Sequence, residues 1–254
     1  MKTFCIIRRA AQAVVPAAAL FMFAACSKTD VPVATPAVDQ GRIKVYHEAA
    51  SANVGLKFLF DDAEKANIMY GQVSDYQSLN TGSRTIKVNV ATSNATVATQ
   101  MASVEKDKNY SFFAYSTSAS QLAGLLVPDD LTAPSSGKAK IRFVNLGQGA
   151  ATPLKLSTTA ASSVDIPGTE TQFAIASSFV EVLPGQYNVA VTSGAASTLV
   201  YNVGEGNGTS TAATGTAANK TYEAGKIYTV VFRGITGATV DAALLPKAVI
   251  VQNN

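Results

Sequence analysis

The residues able to do chemistry are few. The chain has one histidine, His47, with Glu48 beside it and Ser51 close by. A hydrolytic triad needs a nucleophile, an imidazole base and a carboxylate that orients it. Neighbouring strand residues point to opposite faces, so His47 and Glu48 are poorly placed to act together, and a satisfied strand-end histidine is the simpler reading. With a single histidine and two cysteines, Cys5 and Cys26, a zinc or copper site has almost no ligands to draw on. Carboxylates adjoin at Asp61-Asp62 and at Asp129-Asp130. Each pair supplies only part of a calcium shell of about six to eight oxygens, and both read as turn aspartates. Gly204-x-Gly206-x-Gly208 lacks the Lys-Ser/Thr element and the following helix of a phosphate loop, so it reads as a flexible loop. These residues predict no catalytic site, no metal and no cofactor.

The exception is Cys26. Lys2, Arg8 and Arg9 form a basic N-terminal region, followed by an uncharged apolar run from Ala10 to Ala25 that contains Gln12 and Pro16. A helix crossing a bilayer needs about 20 apolar residues, so this run is short for a permanent span. It ends in Phe23-Ala24-Ala25-Cys26-Ser27, which resembles the bacterial lipobox, with Phe23 where leucine is usual. The reading is a signal peptide over residues 1–25, removed to leave Cys26 acylated and the mature chain anchored in a membrane. Cys5 leaves with the signal, so the mature chain has no internal disulfide to form. Ser27 replaces the acidic retention residue of enterobacterial lipoproteins, which points to the outer membrane of the cell envelope. Whether the chain faces the periplasm or the cell surface stays open.

Removing the signal changes the charge balance. The chain has 20 Lys and Arg against 17 Asp and Glu, and three of the basic residues belong to the signal. The mature part is therefore balanced, with no basic stripe of the kind that binds nucleic acid. Residues 26–41, with two prolines and no hydrophobic period, read as a tether.

Beyond the tether the chain repeats itself. Arg42-Ile-Lys-Val-Tyr-His47 is echoed by Lys140-Ile-Arg-Phe-Val-Asn145, the segment around Gly82 by that around Gly185, and Lys108-Asn-Tyr-Ser-Phe-Phe-Ala-Tyr115 by Lys226-Ile-Tyr-Thr-Val-Val-Phe-Arg233. The offset grows from about 100 to about 118 residues, which places an insertion in the second copy, in the Gly/Thr/Ala-rich segment 204–220. Apolar residues alternate with polar ones, as in Ile86, Val88 and Val90, the signature of half-buried strands. The expected architecture is all-β: two tandem antiparallel sandwiches, immunoglobulin-like or prealbumin-like, over 42–134 and 138–254. Gly82 and Gly185 precede a rising strand, where positive φ would carry the chain between sheets.

The ordered elements, Ile43-Lys-Val-Tyr-His47, then Leu183-Pro-Gly-Gln-Tyr-Asn-Val-Ala-Val191, then Gly225-Lys-Ile-Tyr-Thr-Val-Val231 and a closing Leu-Pro, resemble domain-of-unknown-function family 4397 over roughly residues 42–254. Thr81 stands where the second copy has Pro184, and His47-Glu48 where such domains often have a small residue. The resemblance implies an exported, often lipid-anchored envelope protein and no established activity.

One asymmetry bears on binding. Phe113 and Tyr115 share a strand face on which the second copy has Val231 and Arg233. If that face meets solvent, the two rings form a patch suited to a partner or a sugar ring; if a neighbouring domain covers it, they are core. The functional expectation is a non-catalytic binding or adhesion module for an envelope protein or extracellular ligand. An accessory subunit of an outer-membrane assembly is the alternative, and a hydrolase built around His47 the remote one.

Overall fold

A computed structural model describes residues 38–158, 163–205, 219–237 and 244–254. The signal segment 1–25, Cys26, most of the 26–41 tether, and Gly206 and Gly208 of the 204–220 loop lie outside the described residues.

The described chain is all β. The first half contributes β1 (Gln40–Glu48), β2 (Leu56–Phe60), β3 (Ala63–Ile68), β4 (Gln77–Asn80), β5 (Gly82–Val90), β6 (Thr96–Val104), β7 (Asn109–Ser116) and β8 (Leu122–Asp129). They form two four-stranded sheets, ordered β4-β1-β7-β8 and β3-β2-β5-β6. The second half contributes β9 (Ala139–Gln148), β10 (Leu154–Thr158), β11 (Val164–Asp165), β12 (Ile175–Ala176), β13 (Val180–Val182), β14 (Gly185–Tyr187), β15 (Val189–Ser193), β16 (Thr198–Glu205), β17 (Lys220–Tyr222), β18 (Ile227–Ile235) and β19 (Lys247–Gln252). Strand β1 opens two residues earlier than the expected boundary at 42.

Pairing in the second half follows the first: β9 lies beside β18 as β1 lies beside β7, β18 beside β19 as β7 beside β8, and β10-β15-β16 repeat β2-β5-β6. Hydrogen bonds repeat with it. The Tyr110 hydroxyl accepts from the Glu105 N–H at 3.1 Å, and the Tyr228 hydroxyl from the Glu223 N–H at 3.0 Å. The Val45 N–H donates to Ser74 Oγ at 3.0 Å, and the Phe143 N–H to Ser177 Oγ at 2.9 Å. Gly82 and Gly185, at φ +102° and +142°, each begin the first strand after a strand of the opposing layer.

Two expectations need correction. The sheets are not purely antiparallel, because β1–β7, β9–β18 and β16–β19 run parallel. Each opening strand is rejoined by the later strand only after the chain has crossed the other sheet, and such a return in the same direction cannot use a tight hairpin. Nor are the central strands half-buried. Tyr110, Phe112 and Ala114 of β7 point into the first core, while Phe113 and Tyr115 point into a separate cluster with Tyr46, Val144, Leu146, Val231 and Val249. Strands β1, β7, β9 and β18 are thus covered on both faces, by their own sandwich partner on one side and by the other half on the other. Residues 38–254 form one compact unit.

Candidate functional site

His47 lies at the end of β1, fully buried. Its Nε2 is 2.8 Å from the Val54 carbonyl and must therefore carry the proton, which leaves Nδ1 to accept from the Ala49 N–H at 3.4 Å. Burial pushes its pKa down to about 4, against the upward pull of the Val54 carbonyl. The second half explains the residue: at the equivalent position Asn145 Oδ1 accepts from the Gly147 N–H at 3.3 Å, the same bond two residues along the chain. His47 thus closes a strand end. Ser51, the nucleophile of the triad reading, exchanges a 2.6 Å hydrogen bond with Ser116.

Glu48 points to the opposite face, as strand alternation requires, and meets Arg233 of the second half at 2.7 Å with both side chains 2% exposed. Burial pushes the Glu48 carboxyl upward, and Arg233 offsets only part of that. The guanidinium also lies over the Tyr70 ring, 4.8 Å from its centroid. Gly71 is what admits it: a Cβ there would overlap Arg233 Nη1, and φ is +83°. The halves reciprocate. Where the first half lays Tyr70-Gly71 on Arg233, the second lays Phe173-Ala174 on Tyr115, whose ring meets Phe173 edge-on at 5.8 Å. The Gly71 N–H donates to the His47 carbonyl and the Ala174 N–H to that of Asn145, both at 2.7 Å.

A second buried ion pair joins the halves, Arg142 to Asp129 at 2.7 Å, with side-chain exposures of 1% and 0%. This one is well served. Asp129 Oδ2 accepts from the Tyr76 hydroxyl at 2.6 Å and from Ser111 Oγ at 2.8 Å. Arg142 donates to Thr229 at 2.9 Å and Ser111 at 3.0 Å, and lies 4.5 Å from the Phe179 ring centroid, as Lys44 lies 4.7 Å from that of Tyr76.

Phe113 and Tyr115 therefore form no solvent-facing patch. Phe113 is fully buried and stacks on Tyr46 at 4.3 Å, and Tyr115 is 9% exposed. The covering surface is the second half, whose sheet faces the first across these rings. The aspartate pairs separate as well. Asp61 and Asp62 have φ of 47° and 67° in the β2–β3 turn; Asp61 accepts from the Thr85 N–H and Arg84, which hold its pKa down, and Asp62 meets Lys87. Asp129 is consumed by Arg142, and Asp130 by Thr132 and Lys140. No group of three or more potential metal ligands occurs among the described residues.

What remains accessible is the side of the first half where β6 and β8 end their sheets. An open groove of about 840 Å³ there is bordered by Ser103, Glu105, Lys108, Arg42 and Pro128, and a smaller one by Val97 and Leu122. The wide end adjoins the entry of the chain into β1. The buried arginines were the residues that sequence reasoning overlooked. Their signal was an arginine inside an otherwise apolar strand, in Ile141-Arg-Phe-Val144 and Val230-Val-Phe-Arg233.

Residues 41–152 match the family model described as Domain of unknown function (DUF4397), so this part of the chain is similar to that domain. The match takes in the first half and β9, against the roughly 42–254 of the resemblance in the sequence. No curated protein matches the chain. Among solved structures, a leucine-rich repeat protein from Bacteroides thetaiotaomicron VPI-5482 aligns over 79% of this chain at 11% identity with a TM-score of 0.19. The chain spans about a quarter of that protein's length, 26%.

Proposed function

We propose that the protein is a lipid-anchored, non-catalytic binding or adhesion module of the bacterial cell envelope, held at Cys26 in the outer membrane and built from two diverged copies of the DUF4397-like domain. The observation that carries the non-catalytic part is the equivalence of His47 and Asn145: the one imidazole makes the backbone contact that an amide makes in the other half. Such a group is built into the frame, with both nitrogens committed. The fusion of the halves through a shared core supports a stiff body, suited to presenting a surface at a distance from a membrane. The open groove by Arg42 and Lys108 is lined by charged residues together with Tyr110, Leu126 and Leu131 and lies near the tether, which favours a partner already in the envelope.

Protease shaving of intact cells, beside a Cys26→Ser variant and with membrane fractions blotted for each, tests this. Wild type is expected in the membrane fraction and the variant in the soluble one. Shaving of the wild type would direct the search to extracellular ligands, and protection to envelope partners. A Cys26→Ser chain that stays membrane-bound would overturn the lipid anchor.

A further inference from the structure

The buried Arg142–Asp129 pair has a counterpart when the two halves are exchanged. Lys44 lies opposite Ser111 in the β1–β7 ladder, as Arg142 lies opposite Thr229 in the β9–β18 ladder. Asp129 stands two residues beyond the β8 partner of Ser111, and Asn253 two beyond the β19 partner of Thr229. The hydroxyls repeat the match: Ser111 Oγ donates to Asp129 Oδ2 and Thr229 Oγ1 to Asn253 Oδ1, both at 2.8 Å. Arg142 crosses from the second half to Asp129 of the first, so the exchanged contact is Lys44 of the first half with Asn253 of the second. One place holds an ion pair; the other sets an amine against a carboxamide.

Asn253 is 6% exposed. Its Oδ1 accepts from Thr229, whose Oγ1 accepts in turn from Arg142 Nε at 2.9 Å, so a guanidinium polarises the amide carbonyl through one hydroxyl. Its Nδ2 is buried without a hydrogen-bond partner. Lys44 is 8% exposed and lies over the Tyr76 ring. Burial pushes the pKa of this amine down, against the pull of Asp129 and Asp75 and with the push of Arg142. Tyr76 brings the parts together. Its hydroxyl donates to Asp129; burial and Asp129 push its pKa up, and the Asn253 amide beside it acts the other way. An amine able to lose its proton, a polarised amide carbonyl and a carboxylate are the components of an aminolysis.

We infer that Lys44 and Asn253 join in an intramolecular amide bond that clamps β1 to the residue after β19. Nζ of the neutral amine attacks Cγ, and the Thr229 hydroxyl stabilises the charge that develops on Oδ1. The Asp129 carboxylate takes the proton that Nζ loses and delivers it to Nδ2. The Nζ–Cγ bond forms, the Cγ–Nδ2 bond breaks and one ammonia leaves, with no change of oxidation state. Because the fold holds both groups in one buried site, the step needs no encounter between molecules. It runs once per chain and is not a turnover activity.

The test reads the wild-type full chain, purified from cells, denatured and digested with trypsin. Mass spectrometry is expected to find Ile43–Lys57, uncleaved at Lys44, joined to Ala248–Asn254 and lighter than their sum by one ammonia, with fragmentation placing the link at Asn253. Lys44→Arg is expected to give no linked peptide. Thr229→Val is expected to slow its appearance in a pulse-chase by about a hundredfold, the effect of losing one oxyanion donor. These peptides do not contain Cys26, so the outcome is independent of the lipid anchor. A wild-type chain that yields only separate peptides, a link at Asn254, or a Lys44→Arg chain still linked at Asn253 would overturn the proposal.

Discussion

The two halves meet through one surface but hold its equivalent corners by different means. At one, Glu48 of the first half and Arg233 of the second form a buried ion pair capped by Tyr70-Gly71. At the other, the same strand positions carry Leu146 and Tyr115, both in the shared apolar cluster and capped by Phe173-Ala174. One backbone arrangement therefore accepts a charged solution and an apolar one. This agrees with the general energetics: the attraction of a buried pair is largely consumed by desolvation, so a well-packed apolar replacement can equal it. The strength of the charged corner lies in what happens when only one partner is removed.

That gives the largest expected effect. Glu48→Ala leaves the Arg233 guanidinium buried without a counter-charge, and a loss of about 3–5 kcal/mol in unfolding free energy is expected by denaturant titration. The apolar corner has no such trap. Leu146→Ala is expected to cost about 2–5 kcal/mol through the cavity alone, with the loss independent of salt and pH. If Glu48→Ala is as stable as wild type, the Arg233 pair is not closed to water and the contrast between corners fails.

The next effect separates His47 from Asn145. The folded-state pKa of His47, about 4, lies below its ordinary 6.5, so the unfolded chain takes up the proton first as pH falls. The stability it contributes is present above pH 6.5 and is lost as pH falls through 4, by about 3 kcal/mol in full. Glu48 has the opposite sign, because its raised pKa favours the folded state towards acid. His47→Asn installs the residue used by the second half and removes only the first contribution. Unfolding titrations at pH 7 and pH 4.5 should show wild type losing more stability than the variant. Equal losses would mean that the imidazole is not what senses pH.

Much of the frame was legible in the residues. The duplicated opening strands align His47 with Asn145 by sequence alone, and the glycines at 82 and 185 mark the crossings between sheets. Double-sided burial was not legible, because Thr229, Val231 and Arg233 form the mixed pattern of an ordinary solvent face. What makes that face a core is a partner strand 185 residues away in the chain, paired through Glu48. Parallel pairing of β1 with β7 was hidden for the same reason: alternation states which face a residue takes, not which strand lies alongside. The candidate patch at Phe113 and Tyr115 was placed on one face correctly, and what covers that face lay beyond the local pattern.

The second residues of the two caps, Gly71 and Ala174, differ by one methyl group, which sets a smaller effect. Gly71→Ala would drive a Cβ into Arg233 at positive φ, and a loss of about 1–3 kcal/mol is expected. Ala174 already sits at φ 58° opposite Tyr115, so Ala174→Gly is expected to gain up to about 1 kcal/mol by releasing backbone strain. Thermal melts of the two variants should therefore move in opposite directions. Parallel shifts would mean that the caps are not equivalent.

The smallest expected effect is the most direct test of the comparison. Glu48→Leu with Arg233→Tyr writes the apolar corner into the charged one, using side chains already accepted in the same strand positions. No charge is left unpaired, and the new ring can lie against Tyr70 as Tyr115 lies against Phe173. Stability at neutral pH should change by no more than about 1 kcal/mol, while either substitution alone costs several. A double variant as weak as the singles would show that the corners differ in shape as well as in chemistry, and that the first half needs the guanidinium itself over Tyr70.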